Sequence, residues 1–379
     1  MRVGLLTYST KPRGGVVHTL ALGEALQQAG VHVHVFALGP SGGRFYRETS
    51  LPFTLYPSVA DAVSLDEKVF RSVDSMADGL RATVNDLDIM HAQDCISARA
   101  ATRVRNEQRI PPVVRTVHHV DDFTTKALID CQRKAIVEPD HLLVVSRMWQ
   151  RILADEFGFP AEVVPNGVDP ARFAPIAASQ RAKIRQSVDC TTRPLIVAVG
   201  GIEPRKGTRD LFEALAIMKE QGVDATLALL GGHSFQDYRD YRKAALARAE
   251  ELGLSIDRDI IEIGTVDDAT LNAWYRSADA LAMPSRKEGF GLVALEGLAA
   301  DVPVVVSDLP VFQEFLEDGT NAKLARTGDA HDIARCLREV ITSPELRDRL
   351  IEGGRKVLPR YTWQASASRH QEIYATVHN

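Results

Sequence analysis

The chain has 379 residues, 45% of them apolar and 25% charged, which is ordinary for a folded protein and argues against disorder, collagen-like repeats and coiled coil. A formal net charge of −5 gives no basic field for gripping a polyanion, and no run of Lys or Arg interleaves with aromatics, so nucleic acid is not expected as a partner. Four widely spaced cysteines, Cys95, Cys131, Cys190 and Cys336, suit reduced thiols in a cytoplasmic protein better than a disulfide framework, a zinc ribbon or thioredoxin chemistry.

At about 150 residues per domain the length points to two or three domains, read here as two. The opening Met1–Tyr8 soon turns polar and glycine-bearing, so it reads as a first strand and not as a signal peptide. No stretch approaches the roughly 20 apolar residues of a membrane span, while contact with a membrane surface stays open. Short Val, Ile and Leu runs then alternate with stretches of helical period, the pattern of a parallel α/β sheet. Strands are predicted near Arg2–Tyr8, Val31–Leu38, Ile89–Ala92, Val113–His118, Leu142–Ser146 and Glu162–Pro165, with a helix over His18–Ala29 stopped by Gly30. The turn-rich Pro165-Asn166-Gly167-Val168-Asp169-Pro170 separates this series from a second one. That series runs through Leu195–Val199, Thr226–Leu230, Ile260–Ile263, Ala280–Met283, Val302–Val306 and Ala322–Ala325. Two doubly wound, Rossmann-like domains follow, 1–165 and 166–361. The tail 362–379, with helical spacing over Trp363–Val377, either packs back on the first domain or stays with the second.

Open parallel sheets bind ligands beyond the carboxyl ends of their strands, where helix N-termini offer N–H groups to anions. At the first such junction Gly14 and Gly15 let backbone approach a ligand before the helix begins; the plain alternative is an ordinary turn, and the pair is not a G-x-G-x-x-G fingerprint. At the head of the second sheet Arg205 and Lys206 sit just ahead of the helix Thr208–Glu220, where cations are unfavourable unless something anionic offsets them. Arg suits bidentate phosphate contact and Lys a compact positive charge; the alternative is a solvated basic turn.

The run Ala282–Gly297 ends a buried strand at Pro284, carries Glu288 on a glycine-bearing loop and places Glu296 on the second turn of a helix starting near Gly291. Glu288 and Glu296 can then reach opposite ends of one extended ligand, with the amides of Phe290, Gly291 and Leu292 aimed at a phosphate between them. Carboxylates accept well from sugar hydroxyls. In the first sheet His118 and His119 close a strand, and since successive strand side chains face opposite ways, one of them at most faces a given ligand, which disfavours a joint metal site. His118 is the favoured one. His32 and His34 read as one half-exposed strand face. The pairs Asp86/Asp88 and Asp257/Asp259 read as turn chemistry, so no metal ligand is assigned.

Taken together these residues resemble family 4 of the retaining glycosyltransferases, whose GT-B fold has two Rossmann-like domains facing across a cleft. The resemblance runs from Gly14-Gly15 through Asn166-Gly167-Val168-Asp169 to Asp318-Gly319, and its most specific element is the E-x7-E spacing of Glu288 and Glu296 within Glu-Gly-Phe-Gly-Leu, with Pro204-Arg205-Lys206-Gly207 next. It implies that Arg205 and Lys206 hold a donor diphosphate, Glu296 the ribose, and Glu288 with the Phe290–Leu292 amides the sugar. It places His118 beside the transferred sugar, Val266 at the base, Gly14-Gly15 in the donor site, the first domain on the acceptor side and the second on the donor side. The implied activity is metal-independent transfer from a nucleotide-diphosphate-sugar to a glycan, lipid or small-molecule hydroxyl, without a cofactor. Two departures stand out. Gly200-Gly201 occupies a place where Gly-Arg is common, shifting load onto Arg205 and Lys206, and Asp308-Leu309-Pro310 replaces a Gly-Gly stretch. A non-catalytic sugar-nucleotide-binding protein and a sugar-nucleotide epimerase share the architecture. The former has no need of His118 or Glu288.

Overall fold

The computed structural model describes residues 1–84, 86–108, 111–232 and 238–378. It divides into two compact units, Met1–Gly167 together with the chain from Tyr361 onward, and Val168–Arg360. Asn166 and Gly167 go with the first.

The first unit carries strands β1 (Arg2–Thr7), β2 (His32–Gly39), β3 (Phe53–Pro57), β4 (Ile89–Ala92), β5 (Val113–Val117), β6 (His141–Val144) and β7 (Glu162–Val163). They form one sheet in the order β3-β2-β1-β4-β5-β6-β7, every pairing parallel. Helices α1 (Gly14–Gln28), α2 (Leu65–Thr83), α3 (Cys95–Gln108), α4 (Lys126–Val137) and α5 (Arg147–Phe157) make the crossovers. The strand β3 was not predicted: Phe53-Thr54-Leu55-Tyr56 is bracketed by Pro52 and Pro57, and proline is tolerated here because the strand pairs on one side only. The helix expected from His18 starts at Gly14 instead, with Arg13 at its N-cap and no capping side chain. Gly14 and Gly15 therefore form the first helical turn, whose N–H groups have no partner within the helix.

The second unit carries helix α6 (Ala178–Ser187) and then β8 (Leu195–Val199), β9 (Thr226–Leu230), β10 (Ile260–Gly264), β11 (Ala280–Met283), β12 (Val304–Ser307) and β13 (Lys323–Ala325). These pair in parallel as β10-β9-β8-β11-β12-β13. β11 and β12 are buried along their whole length, as strands covered on both faces must be. The expected start at Val302 moves to Val304, since Pro303 lacks an N–H to give the ladder; its carbonyl still accepts from Leu281. Helices α7 (Thr208–Glu220), α8 (Arg239–Glu251), α9 (Asp268–Ser277), α10 (Leu292–Ala299), α11 (Ala330–Thr342) and α12 (Pro344–Val357) complete this unit. Phe212, Leu215 and Met218 of α7 pack with Ile333 and Leu337 of α11 over Ile196, Leu227 and Leu229.

The last helix, α13 (Trp363–His378), returns to the first unit. It buries Tyr374 against His91, whose Nδ1 lies 2.6 Å from the phenol oxygen, and ties Arg369 to Glu162 at 2.6 Å. In both sheets the strand order reverses beside the first strand, between β1 and β4 and between β8 and β11. Helices on the two sides of such a point diverge and leave room for a ligand at the strands' carboxyl ends.

Candidate functional site

In the second unit the chain leaving β8 passes Gly200 and Gly201, makes a single 3-10 turn over Pro204–Lys206 and enters α7 through Gly207. Gly207 has φ of 66°, and a Cβ there would lie 2.0 Å from the Pro284 carbonyl oxygen, so only glycine lets the two junctions meet. The loop after β11 is stitched to this turn: the amides of Arg286 and Lys287 donate to the Arg205 carbonyl at 2.8 and 3.2 Å, and the Arg286 guanidinium makes two 2.7 Å bonds to Asp210 in the first turn of α7. This brackets the reversal point with backbone and a bidentate ion pair, a rigid support.

Held by that support, Lys206 and Glu288 meet each other. Nζ donates to Oε2 at 2.8 Å, and the two side chains are only 14% and 13% exposed. Burial opposes ionisation of Glu288, but Lys206, Arg205 and the Gly289 amide, which donates to Oε1 at 3.0 Å, outweigh it and bring the carboxyl down to about 2. The lysine stem lies over Gly200, 3.3 Å from where a Cβ would be. Arg205 pairs with the nearly buried Glu203 at 3.1 Å and keeps 41% of its side chain exposed.

Glu296 stands in the opposite electrostatic condition. Burial raises its carboxyl above the ordinary value, and its Oε2 accepts from the Tyr275 hydroxyl at 2.7 Å. Between the two glutamates, Phe290 is buried and stacked on Phe315, and Gly291, which has no side chain to cap the helix, adopts φ of 103° at the N-cap of α10. A Cβ on Gly291 would come within 2.5 Å of the Phe312 ring. Leu292 opens α10, half-buried, and Val266 lies half-buried in the loop after β10. The start of α10 thus presents N–H groups and the positive end of its dipole beside a Lys–Glu pair, which suits an anion.

In the first unit the two histidines after β5 part company. His119 is exposed and sits 3.3 Å from Asp121, whereas His118 turns inward, its Nε2 lying 3.1 Å from Oε1 of Gln93 at the end of β4. Gln93 is 2% exposed. Burial, with the neighbouring His18, His119 and Arg115, keeps His118 far below the usual histidine pKa and so neutral. With the glutamine oxygen accepting, the ring proton resides on Nε2 and Nδ1 is left as an acceptor. The His18 ring meets His118 edge to face at 4.7 Å, and its Nδ1 lies 2.7 Å from Asn166 Oδ1. Trp363 and His370 of α13 pack against His18, and His91 bridges Tyr374 to Thr116, its Nε2 lying 2.8 Å from the Thr116 hydroxyl. Gly15 adjoins this cluster, the place of its missing Cβ being 3.9 Å from both the His118 ring and the Gln93 carbonyl.

Sequence reading missed Gln93, His18 and His370. Gln93 carried a readable signal, since His91 and Gln93 are polar positions at the carboxyl end of an otherwise apolar strand run; His18 and His370 look like ordinary helix residues until the fold joins them. Of the aspartate pairs, Asp88 accepts from the Arg2 amide at 2.7 Å, and buried Asp259 binds Lys219, Arg193 and Arg258. Among the described residues no group of three or more His, Cys, Asp or Glu is placed to hold a metal ion.

Two parallel α/β units with this strand order define a protein of GT-B fold. Sucrose-phosphate synthase from Thermosynechococcus elongatus superposes with a TM-score of 0.84 at 21% identity, covering 99% of this chain and 98% of the other. Anabaena HepE in complex with UDP and glucose does so with a TM-score of 0.84 at 18% identity, covering 99% and 100%. The family description for glycosyl transferases group 1 matches residues 179–357, and that for glycosyltransferase family 4 matches residues 12–172. Phosphatidyl-myo-inositol mannosyltransferase of Mycobacterium leprae is 30% identical over 100% of this chain and 97% of its own length. D-inositol 3-phosphate glycosyltransferase of Salinispora arenicola is 28% identical over 91% and 78%. The chain belongs to the family 4 glycosyltransferases, and it is an enzyme of sugar transfer.

Proposed function

We propose that the protein moves a hexose from a nucleotide-diphosphate-sugar to a hydroxyl of a phosphorylated polyol or lipid headgroup, with retention at the anomeric carbon and without a metal ion. The observation that carries this reading is the largely buried Lys206–Glu288 pair at the β8/β11 reversal, next to the start of α10, whose N-cap Gly291 supplies no side chain. A diphosphate arriving there takes Lys206 and the α10 amides as partners and frees Glu288 to accept from sugar hydroxyls. Arg205, only part-buried, swings to the same phosphates, and Glu296 takes the ribose. Val266 lies by the base.

A nucleoside diphosphate is already a good leaving group, so the protein's task is to stabilise negative charge growing on the bridging oxygen, which Lys206, Arg205 and the helix amides do without an added cation. No protein acid is required. In the retaining course the acceptor hydroxyl attacks the face that the diphosphate leaves and gives its proton to a phosphate oxygen. Neutral His118, with Gly15 beside it and Gly14 opening the same helix as Gly15, is the first unit's part in this reading. A phosphorylated acceptor suits the first unit, where Lys68 feels Arg13 and Lys11 near the start of α1, and it suits the substrates in the names of the two relatives described above.

The test is a thermal-shift panel of UDP-, GDP- and ADP-sugars, followed by turnover with the donor that binds, with and without a chelator. Binding only to the folded state raises its stability. One donor shifting the melting temperature, turnover unaffected by chelation and an α product from an α donor by NMR are expected. An inverted anomer overturns retention, and loss of activity on chelation overturns metal independence.

A further inference from the structure

Cys95 and Cys131 are 36 residues apart, yet the fold brings their sulfurs to 3.9 Å. Both are free thiols. Cys95 opens α3 directly after Gln93 and Asp94, and Cys131 sits on α4. Two guanidinium groups surround the pair. Arg99, on the turn of α3 after Cys95, lies against the Cys131 thiol and also pairs with Glu138. Arg115 of β5 is 4% exposed, and its Nε and Nη1 are buried without a hydrogen-bond partner among the described residues. A buried cation with idle donors is costly, and it stabilises any anion formed next to it. Asp94 and Asp121 lie within its reach as well, so part of that field is already neutralised.

The chemistry separates these thiols from the other two. The Cys95 thiol donating to it, with Arg99 and Arg115 nearby, sets the Cys131 thiol below the usual cysteine value, whereas burial pushes Cys190 and Cys336 up. Thiolate character and exposure together govern reaction with oxidants, and Cys95 is part-exposed where Cys190 and Cys336 are fully buried.

We propose that Cys95 and Cys131 form an oxidation-sensitive dithiol that hydrogen peroxide closes to a disulfide and a small thiol reductant reopens. The Cys131 thiolate attacks one peroxide oxygen; the O–O bond breaks, a sulfenic acid forms, and hydroxide leaves to be protonated to water. The Cys95 sulfur then attacks the Cys131 sulfur, giving up its proton as the sulfenic oxygen departs as a second water. Two electrons from the thiol pair reduce one peroxide. Bonding draws the start of α3 toward α4, and α3 begins two residues after Gln93, the partner of His118. Oxidation therefore reaches the sugar-transfer site, a consequence that rests on the role proposed above for His118, whereas the cross-link itself does not.

The experiment is peptide mapping of the full chain after graded hydrogen peroxide, alkylated and run without reductant, alongside donor turnover of the same samples. A Cys95–Cys131 linked peptide, lighter by about 2 Da than the reduced pair, is expected before any change at Cys190 or Cys336, and dithiothreitol should reverse it. Turnover should drop at least tenfold with the link and recover on reduction, while Cys131→Ser and Cys95→Ser keep their turnover through the same treatment. Sulfinic acid at Cys131 without a link, or earlier oxidation of Cys190 or Cys336, overturns the dithiol. A link that leaves turnover unchanged overturns its coupling to His118.

Discussion

The two units hold their candidate residues in opposite electrostatic states. In the second unit the residues, Glu296 apart, are charged and paired: Lys206 with Glu288, Arg205 with Glu203, Arg286 with Asp210. In the first they are buried and neutral: His18, His91, His118 and His370 share one cluster, and each is held below the usual histidine value chiefly by burial. The difference follows from what each surrounds. A site for a diphosphate needs cations that exist before the ligand arrives, so the protein stores them against carboxylates. A site that only touches sugar hydroxyls needs oriented lone pairs and no net charge.

This contrast gives the largest expected effect, a difference in acid sensitivity between the units. His18 is lowered from 6.5 to about 3 and His370 to about 4. Their folded values lie below the unfolded one, so the unfolded chain binds protons that the folded chain excludes. The stability they permit is full above pH 6.5 and falls as pH drops from there, by up to about 1.4 kcal/mol per ring for each pH unit. Asp94, raised by burial in the same unit, offsets part of this. Glu288 is lowered from 4.5 to about 2, so its contribution is full above pH 4.5 and is lost only below it. Hydrogen exchange between pH 7 and 5 should therefore show α1, β5 and α13 losing protection while β8 and β11 keep theirs. Equal loss in both units would erase the contrast.

Next in size is the charged site. Lys206→Ala and Glu288→Ala should each reduce turnover by roughly 100-fold or more, the scale of one aimed electrostatic partner. Each single change also leaves a nearly buried charge without its partner, so both should lower stability, and the double variant should be more stable than the sum of the singles predicts. Thermal melts of the three proteins measure this; simple additivity would mean that the pair does not interact in solution.

The legibility of these sites follows the same division. The second one could be read because Lys206 lies close to the end of β8, and Glu288, Phe290–Leu292 and Glu296 fall within one strand-loop-helix passage, so spacing alone places them. What spacing did not show is that Lys206 and Glu288, 82 positions apart, neutralise each other. The alternation of apolar runs gave both parallel sheets, while the strand order and its reversal points appear only in the fold. It lost β3, where flanking prolines imitate a loop, and it set the start of α1 too late because glycines read as turn. The first site was hidden since its members come from α1, β4, the segment after β5, Asn166 and α13. Only long-range closure assembles them.

A smaller effect isolates the neutrality of His118. In Gln93→Glu a carboxylate replaces the amide at 3.1 Å from Nε2 and favours the imidazolium. The ring's folded pKa rises, so turnover should fall as pH is lowered through the new value, by roughly tenfold per unit below it, where the parent enzyme stays flat. A matching change in the His118 ring-nitrogen NMR shift, which needs no substrate, separates a charge effect from simple damage to the fold. An unchanged pH profile would show that Gln93 does not set the charge of the ring.

The mildest change probes how α13 belongs to the first unit. Tyr374→Phe keeps the ring packed against His91 but removes the hydroxyl 2.6 Å from its Nδ1. His91 is fully buried, so the nitrogen is left unsatisfied at a cost of about 1–3 kcal/mol. That cost should appear in the exchange of α13 and β4, where the helix and the histidine meet, and should spare the second unit. If β8 and β11 loosened equally, the returning helix would be stabilising the whole chain, and the electrostatic division between the units would no longer coincide with a division in stability.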